Sequence, residues 1–122
     1  MKTKIVYPKN PILKEFIQYF LFITKSDNET ISQLCYPNTN HCLSIIKGGE
    51  MVELNTNEYT VLSSSKNSSY LTGIYKQPIK ITTKQPYQEL CINFNPMGLE
   101  EIFGENLSQY IFKHNVLREK IN

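Results

Sequence analysis

Between Glu89 and Gly104 the chain runs from an alternating stretch through Asn95-Pro96-Met97-Gly98 into a short helical pattern. No other feature limits the possible folds as much. Leu90, Ile92 and Phe94 alternate with Cys91 and Asn93, the period-two signature of a strand with one apolar face. Asn95 is predicted to cap the next helix. Pro96 suits the first helical position, where its missing N–H costs nothing. Gly104 stands where a left-handed C-terminal cap is needed. Phe94, Leu99, Ile102 and Phe103 are then expected to plug the helix onto the body of the protein, with Pro96, Gly98 and Gly104 shaping the corner.

The rest of the chain is cut into short pieces of the same kind. Asn10 and Pro11 open a helix carrying Ile12, Leu13, Phe16 and Ile17 at helical spacing. From about Tyr19 the composition becomes aromatic and β-branched, which predicts a strand through Ile23. Further strands are expected over 31–36, 42–47, 51–54, 59–62, 70–76, 79–83 and 89–94. The pair 42–47 and 51–54 is joined by Gly48-Gly49, a sequence suited to a tight hairpin. After the corner the pattern stays helical through Leu107, Tyr110, Ile111, Val116 and Leu117. Many short strands flanked by terminal helices predict a mainly β protein, a small antiparallel β-barrel or double-sheet roll. A roll of this size can hold one small ligand.

The 122 residues form one domain, 1–122, large enough for a single core. A net charge of +2 with 13 scattered basic residues leaves no concentrated stripe for DNA. Three cysteines, Cys35, Cys42 and Cys91, leave one unpaired under any pairing. The start Met1-Lys2-Thr3-Lys4 has no signal-peptide core. Both features point to a cytoplasmic protein with free thiols. The longest nearly apolar run, 16–23, falls far short of the ~18 residues that cross a bilayer, so no membrane partner is expected.

Four segments in order carry a family resemblance: Leu13…Ile17-x-Tyr19-Phe20; Tyr36-Pro37-Asn38 followed by Leu43-Ser44-Ile45-Ile46; Tyr70-Leu71-Thr72-Gly73; and above all Glu89-Leu-Cys-Ile-Asn-Phe-Asn-Pro-Met-Gly98. Together they resemble the N-terminal regulatory domain of AraC-type transcriptional regulators, in the branch whose sensor ends in an F-x-P-x-G corner. The resemblance spans nearly the whole chain. It implies a cupin-like sensor barrel, homodimerisation through a helix near the C-terminal end, and DNA binding through two helix-turn-helix motifs. Those motifs have no counterpart in these residues, so the chain is read as the sensor part of a longer regulator, with a stand-alone relative as the alternative.

Cupin barrels often carry a metal, but His41 and His114 stand far apart and the H-x-H…E…H arrangement is missing. Cys35, His41 and Cys42 match no zinc spacing. Buried strand cysteines and a loop histidine are the plainer reading, so no cofactor is expected. A Cys–His nucleophile from Cys42 or Cys91 with His41 lacks any neighbour to lower the thiol pKa. Glu100-Glu101 simply suits a helix start. No catalytic residue is assigned and the chain is not read as an enzyme.

Tyr36, Tyr59, Tyr70, Tyr75 and Tyr87 fall on or beside predicted strands, and two or three of them are expected to face a pocket. Alternation selects Tyr36, Ser44, Tyr75, Cys91 and Asn93 as ligand-facing candidates, with His41 at the mouth. A solid interior would instead use Leu43, Ile45, Leu71, Ile81 and Ile92. Three functions therefore stand: an effector-binding, dimerising sensor; a small cupin-type metal-binding protein or enzyme; or a ligand-free interaction module.

Overall fold

The computed structural model describes residues 1–35, 40–72 and 77–104, apart from the side chain of Phe103. Nine strands and two short helices are present in that part: β1 (Lys2–Val6), α1 (Pro11–Phe16), β2 (Ile17–Lys25), β3 (Ile31–Cys35), β4 (Cys42–Lys47), β5 (Gly49–Asn55), β6 (Glu58–Ser63), β7 (Ser68–Thr72), β8 (Ile79–Thr83), β9 (Tyr87–Phe94) and α2 (Gly98–Phe103). They form a five-stranded sheet in the order β1-β2-β9-β4-β7 and a four-stranded sheet in the order β3-β8-β6-β5. The mainly β double-sheet expectation holds. Closure does not: each sheet keeps two edge strands among the described residues. Nor is the pairing wholly antiparallel, because β6 runs parallel to β8.

Asn10 caps α1 as expected, its Oδ1 accepting the Ile12 N–H at 2.8 Å with Pro11 in the first turn. The helix is shorter than its apolar spacing predicts, and the chain is already a strand at Ile17. A bulge between Ile17 and Tyr19 shifts the register of β2. It leaves Ile17 in the cluster beneath the helices while Leu21 and Ile23 turn to the other face of the sheet, as the extra residue of a bulge does.

The corner after β9 differs from its predicted form. Asn95 does not cap α2. Its Nδ2 donates to the carbonyls of Lys14 and Glu15 at 2.9 and 3.3 Å, and its N–H to that of Phe16 at 2.9 Å, which ties the corner to the end of α1. Asn95 through Gly98 form a β-turn closed by the Gly98 N–H on Asn95 O at 2.8 Å. Pro96 takes its second position and Met97, at φ 66°, ψ −2°, its third, the left-handed backbone that a type II turn demands there. Met97, not Asn95, is therefore the residue before the helix. Gly98 is required by space, since a Cβ would strike the backbone carbonyl of Phe16. Gly104 ends α2 at φ 67°. Leu99 is fully buried as the plug, but Ile102 is 44 % exposed and does not join it.

Gly48-Gly49 is not a hairpin turn either. β4 belongs to one sheet and β5 to the other, so the pair carries the chain across the interior. Gly49 is buried at the crossing, where a Cβ would approach Ile46 and Val61 to 2.9 Å each.

Two apolar clusters result. One lies between the five-stranded sheet and the helices: Ile17, Leu43, Leu71, Phe94 and Leu99, with Phe16, Phe20 and Ile92 against it. The other lies between the sheets: Ile46, Met51, Val61, Tyr70 and Tyr87, with Ile23, Tyr59 and Ile81. Leu43, Leu71 and Ile92, expected in the centre of a solid roll, thus face the helices. The terminal apolar positions Leu107, Tyr110, Ile111, Val116 and Leu117 lie outside the described residues.

Candidate functional site

The strands that give the five-stranded sheet its apolar face send their polar alternates the other way, toward the four-stranded sheet. Between the sheets lies a cavity of about 370 Å³, inside the size range of small-molecule sites. β9 lines it with Tyr87, Glu89, Cys91 and Asn93, β4 with Cys42 and Ser44, and β7 with Tyr70 and Thr72. The opposite sheet contributes mainly apolar groups, among them Met51, Ile79 and Ile81, together with the ring of Tyr59. One wall is thus polar and the other greasy.

A hydrogen-bonded chain crosses the polar wall. Register explains it: Ser44 pairs with both Tyr70 on β7 and Cys91 on β9, so three side chains converge on one face. Ser44 Oγ stands 3.6 Å from Cys91 Sγ and 3.9 Å from Cys42 Sγ. The Cys91 thiol and the Tyr70 hydroxyl each donate to Oε2 of Glu89 at 3.1 Å. Burial first, and then the Glu89 charge, pushes the Tyr70 and Tyr87 hydroxyls up from their ordinary values. Cys91 is likewise pushed up, by its hydrogen bond with Cys42, by burial and by the same carboxylate. These groups keep their protons, and Tyr70 and Cys91 so remain donors toward Glu89. Burial also raises the Cys35 thiol. All three cysteines are free and all three border the cavity.

The structure brings together Ser44, Cys91 and Asn93 of the residues that the sequence nominates. His41 does not line the cavity; its Nδ1 lies 3.6 Å from Glu100 Oε1, at α2. A loop residue just before β4 follows the chain toward the helices rather than the alternation of the strand. Tyr36 and Tyr75 lie outside the described residues. Three of the strand tyrosines, Tyr59, Tyr70 and Tyr87, do face the cavity. The sequence reading missed Glu89, although it shares the parity of Cys91 and Asn93; a charged residue at the start of a strand reads as solvent-facing. It also missed Cys42, which shares the parity of Ser44. Among the described residues no group of three or more His, Cys, Asp or Glu side chains is placed to hold a metal ion. No helix there is long and apolar enough to cross a membrane.

Residues 6–115 match the family described as "Domain of unknown function (DUF6597)". The chain belongs to this family. No curated protein and no solved structure matches it. The match begins at the end of β1 and runs through β9 and the corner, so every wall of the cavity lies within it.

Proposed function

We propose that the chain is the effector-sensing and dimerisation part of an AraC-type transcriptional regulator, acting in the cytoplasm, with a cupin-like roll that admits a small molecule between its sheets. The observation that carries the reading is the cavity of about 370 Å³ with Ser44, Cys91 and Asn93 on its wall. An interaction module needs no such space, and close packing is what a protein interior adopts by default. The resemblance at Glu89–Gly98 supplies the regulatory context. It also supplies the expectation that two copies pair and that DNA is touched by a helix-turn-helix half not contained in these residues. In this reading the effector acts by binding two arrangements of the domain with different affinity, since a ligand that binds both equally shifts nothing. The reading uses no resident cofactor and no catalytic group.

The test is thermal denaturation of the purified chain against a chemically broad set of small metabolites, with Thr72→Phe as a cavity-filled control. Ligands that bind only the native state raise its midpoint. Compounds that raise the midpoint of the wild-type chain but not of the variant are the expected result. A set in which no compound shifts the wild type would leave the cavity without a sensing role. Sedimentation should also show a concentration-dependent dimer, and the chain alone should give no salt-resistant, sequence-selective shift of DNA.

A further inference from the structure

Resting on the reading of the cavity as a ligand site, we infer that its ligand is a small organic amine with a compact apolar or aromatic body, its ammonium group placed on Glu89. The charge arrangement carries this. Glu89 is the acidic side chain on the cavity wall, and among the described residues the wall holds no lysine, arginine or histidine. Lys25, a buried cation on the same sheet face, is already committed, its Nζ bonding the carbonyl and carboxylate oxygens of Asp27 at 2.6 and 3.0 Å.

The carboxylate is also aimed. Tyr70 and Cys91 both donate to Oε2 and hold it in place. The donor of the ligand is placed on the other oxygen, Oε1. A half-buried carboxylate with no cationic partner among the described residues is costly to keep from water, and a bound ammonium removes that cost while making a charge-assisted hydrogen bond. An anionic ligand would meet the same carboxylate as a like charge. The apolar part of the wall suits the body of the ligand: Met51, Ile79 and Ile81 come from the other sheet, and the rings of Tyr59 and Tyr87 also line the space.

The experiment compares three probes of one shape and different head group, 2-phenylethylamine, 2-phenylethanol and 3-phenylpropionate, titrated into the wild-type chain and into Glu89→Gln by calorimetry or NMR at neutral pH. The amine is expected to bind the wild type at least about tenfold more tightly than the alcohol, the usual gain for a hydrogen bond to a charged group. The carboxylate should bind more weakly than either. Glu89→Gln should erase the advantage of the amine over the alcohol. If the alcohol or the carboxylate binds the wild type as well as the amine, the charge preference is overturned while ligand binding in the cavity stands. If none of the three binds at millimolar concentration, the amine inference falls and cavity binding loses support with it. The wild-type comparison decides the matter even if Glu89→Gln does not fold.

Discussion

Asn93 and Phe94 are neighbours in β9, yet they belong to two different kinds of interior. Phe94 is 2 % exposed in a cluster closed from outside by Leu99 of α2 and from the sides by Leu43 and Leu71. Asn93, also hidden from bulk solvent, borders the cavity between the sheets. The two faces of one sheet thus divide the work. Beneath the helices one face is packed with aliphatic and aromatic groups, while the opposite face is polar, hydrogen-bonded and partly empty. An apolar face can close on itself wherever volumes match. A polar face can be buried only if its groups find partners, and Ser44, Tyr70, Glu89 and Cys91 find them within the wall, while Ser68 reaches the carbonyl of Gly49 on the other sheet.

The largest expected effect tests that division directly. Phe94→Ala removes the centre of the solid side and should cost about 3–5 kcal/mol. Ile81→Ala, half-buried with its inner side already facing space, should cost about 1 kcal/mol. Urea denaturation of both variants checks this, and equal losses would mean that the cavity wall bears as much of the packing as the helix side.

Gly98→Ala comes next. Its Cβ meets the Phe16 carbonyl where α1 and the corner touch, and forcing the two apart should cost about 1–3 kcal/mol. The midpoint should fall without loss of probe binding in the cavity, because no residue of the corner lines it. Loss of binding would show that the solid side sets the shape of the hollow one.

The thiols sharpen the comparison on the hollow side. Cys91, with its proton held by Cys42, burial and the Glu89 charge, should be the last to react with iodoacetamide at pH 8. Cys35, raised by burial, should also react more slowly than in the unfolded chain, since the thiolate is the reactive form. Peptide mass spectrometry over time reads the order. Rapid labelling of Cys91 would mean that the polar wall opens to solvent.

The smallest effect concerns pH. The hydrogen bond from Lys25, then that from the Glu29 backbone, holds the Asp27 carboxyl below its ordinary value. A group whose pKa is lowered on folding stabilises the native state above its unfolded value and loses that contribution as pH falls through the folded one. The midpoint should therefore drop slightly below about pH 4, and Asp27→Asn should flatten that slope. An unchanged slope would mean that the Lys25 ammonium is held by the Asp27 carbonyl alone.

Much of the fold was legible because it rests on local rules. Asn10-Pro11 opens a helix wherever it meets helical spacing. The alternation in 42–47, 79–83 and 89–94 marks strands, and Gly104 ends a helix. β1, short and on an edge, was not foreseen at all, and β2 begins at Ile17, where helical spacing continues but pairing with β9 wins. Of the candidate site, parity alone found Ser44, Cys91 and Asn93. His41, nominated only because it borders β4, lies at Glu100 instead, and Glu89, which shares the parity of Cys91 and Asn93, was not nominated.

By itself the sequence determined that the chain is mainly β, that β9 has one polar and one apolar face, and that a corner and a short helix come after it, because each of these depends on residues within one turn or strand. Only the tertiary structure decided which face looks inward. The apolar face found a partner in α1 and α2, so the polar one was left to meet the second sheet. Gly48-Gly49 crossed between sheets instead of closing a hairpin, and β6 lay parallel to β8. Those choices depend on contacts between segments far apart in the chain, whose pairing no local pattern encodes, and they set the cavity and its carboxylate between the sheets.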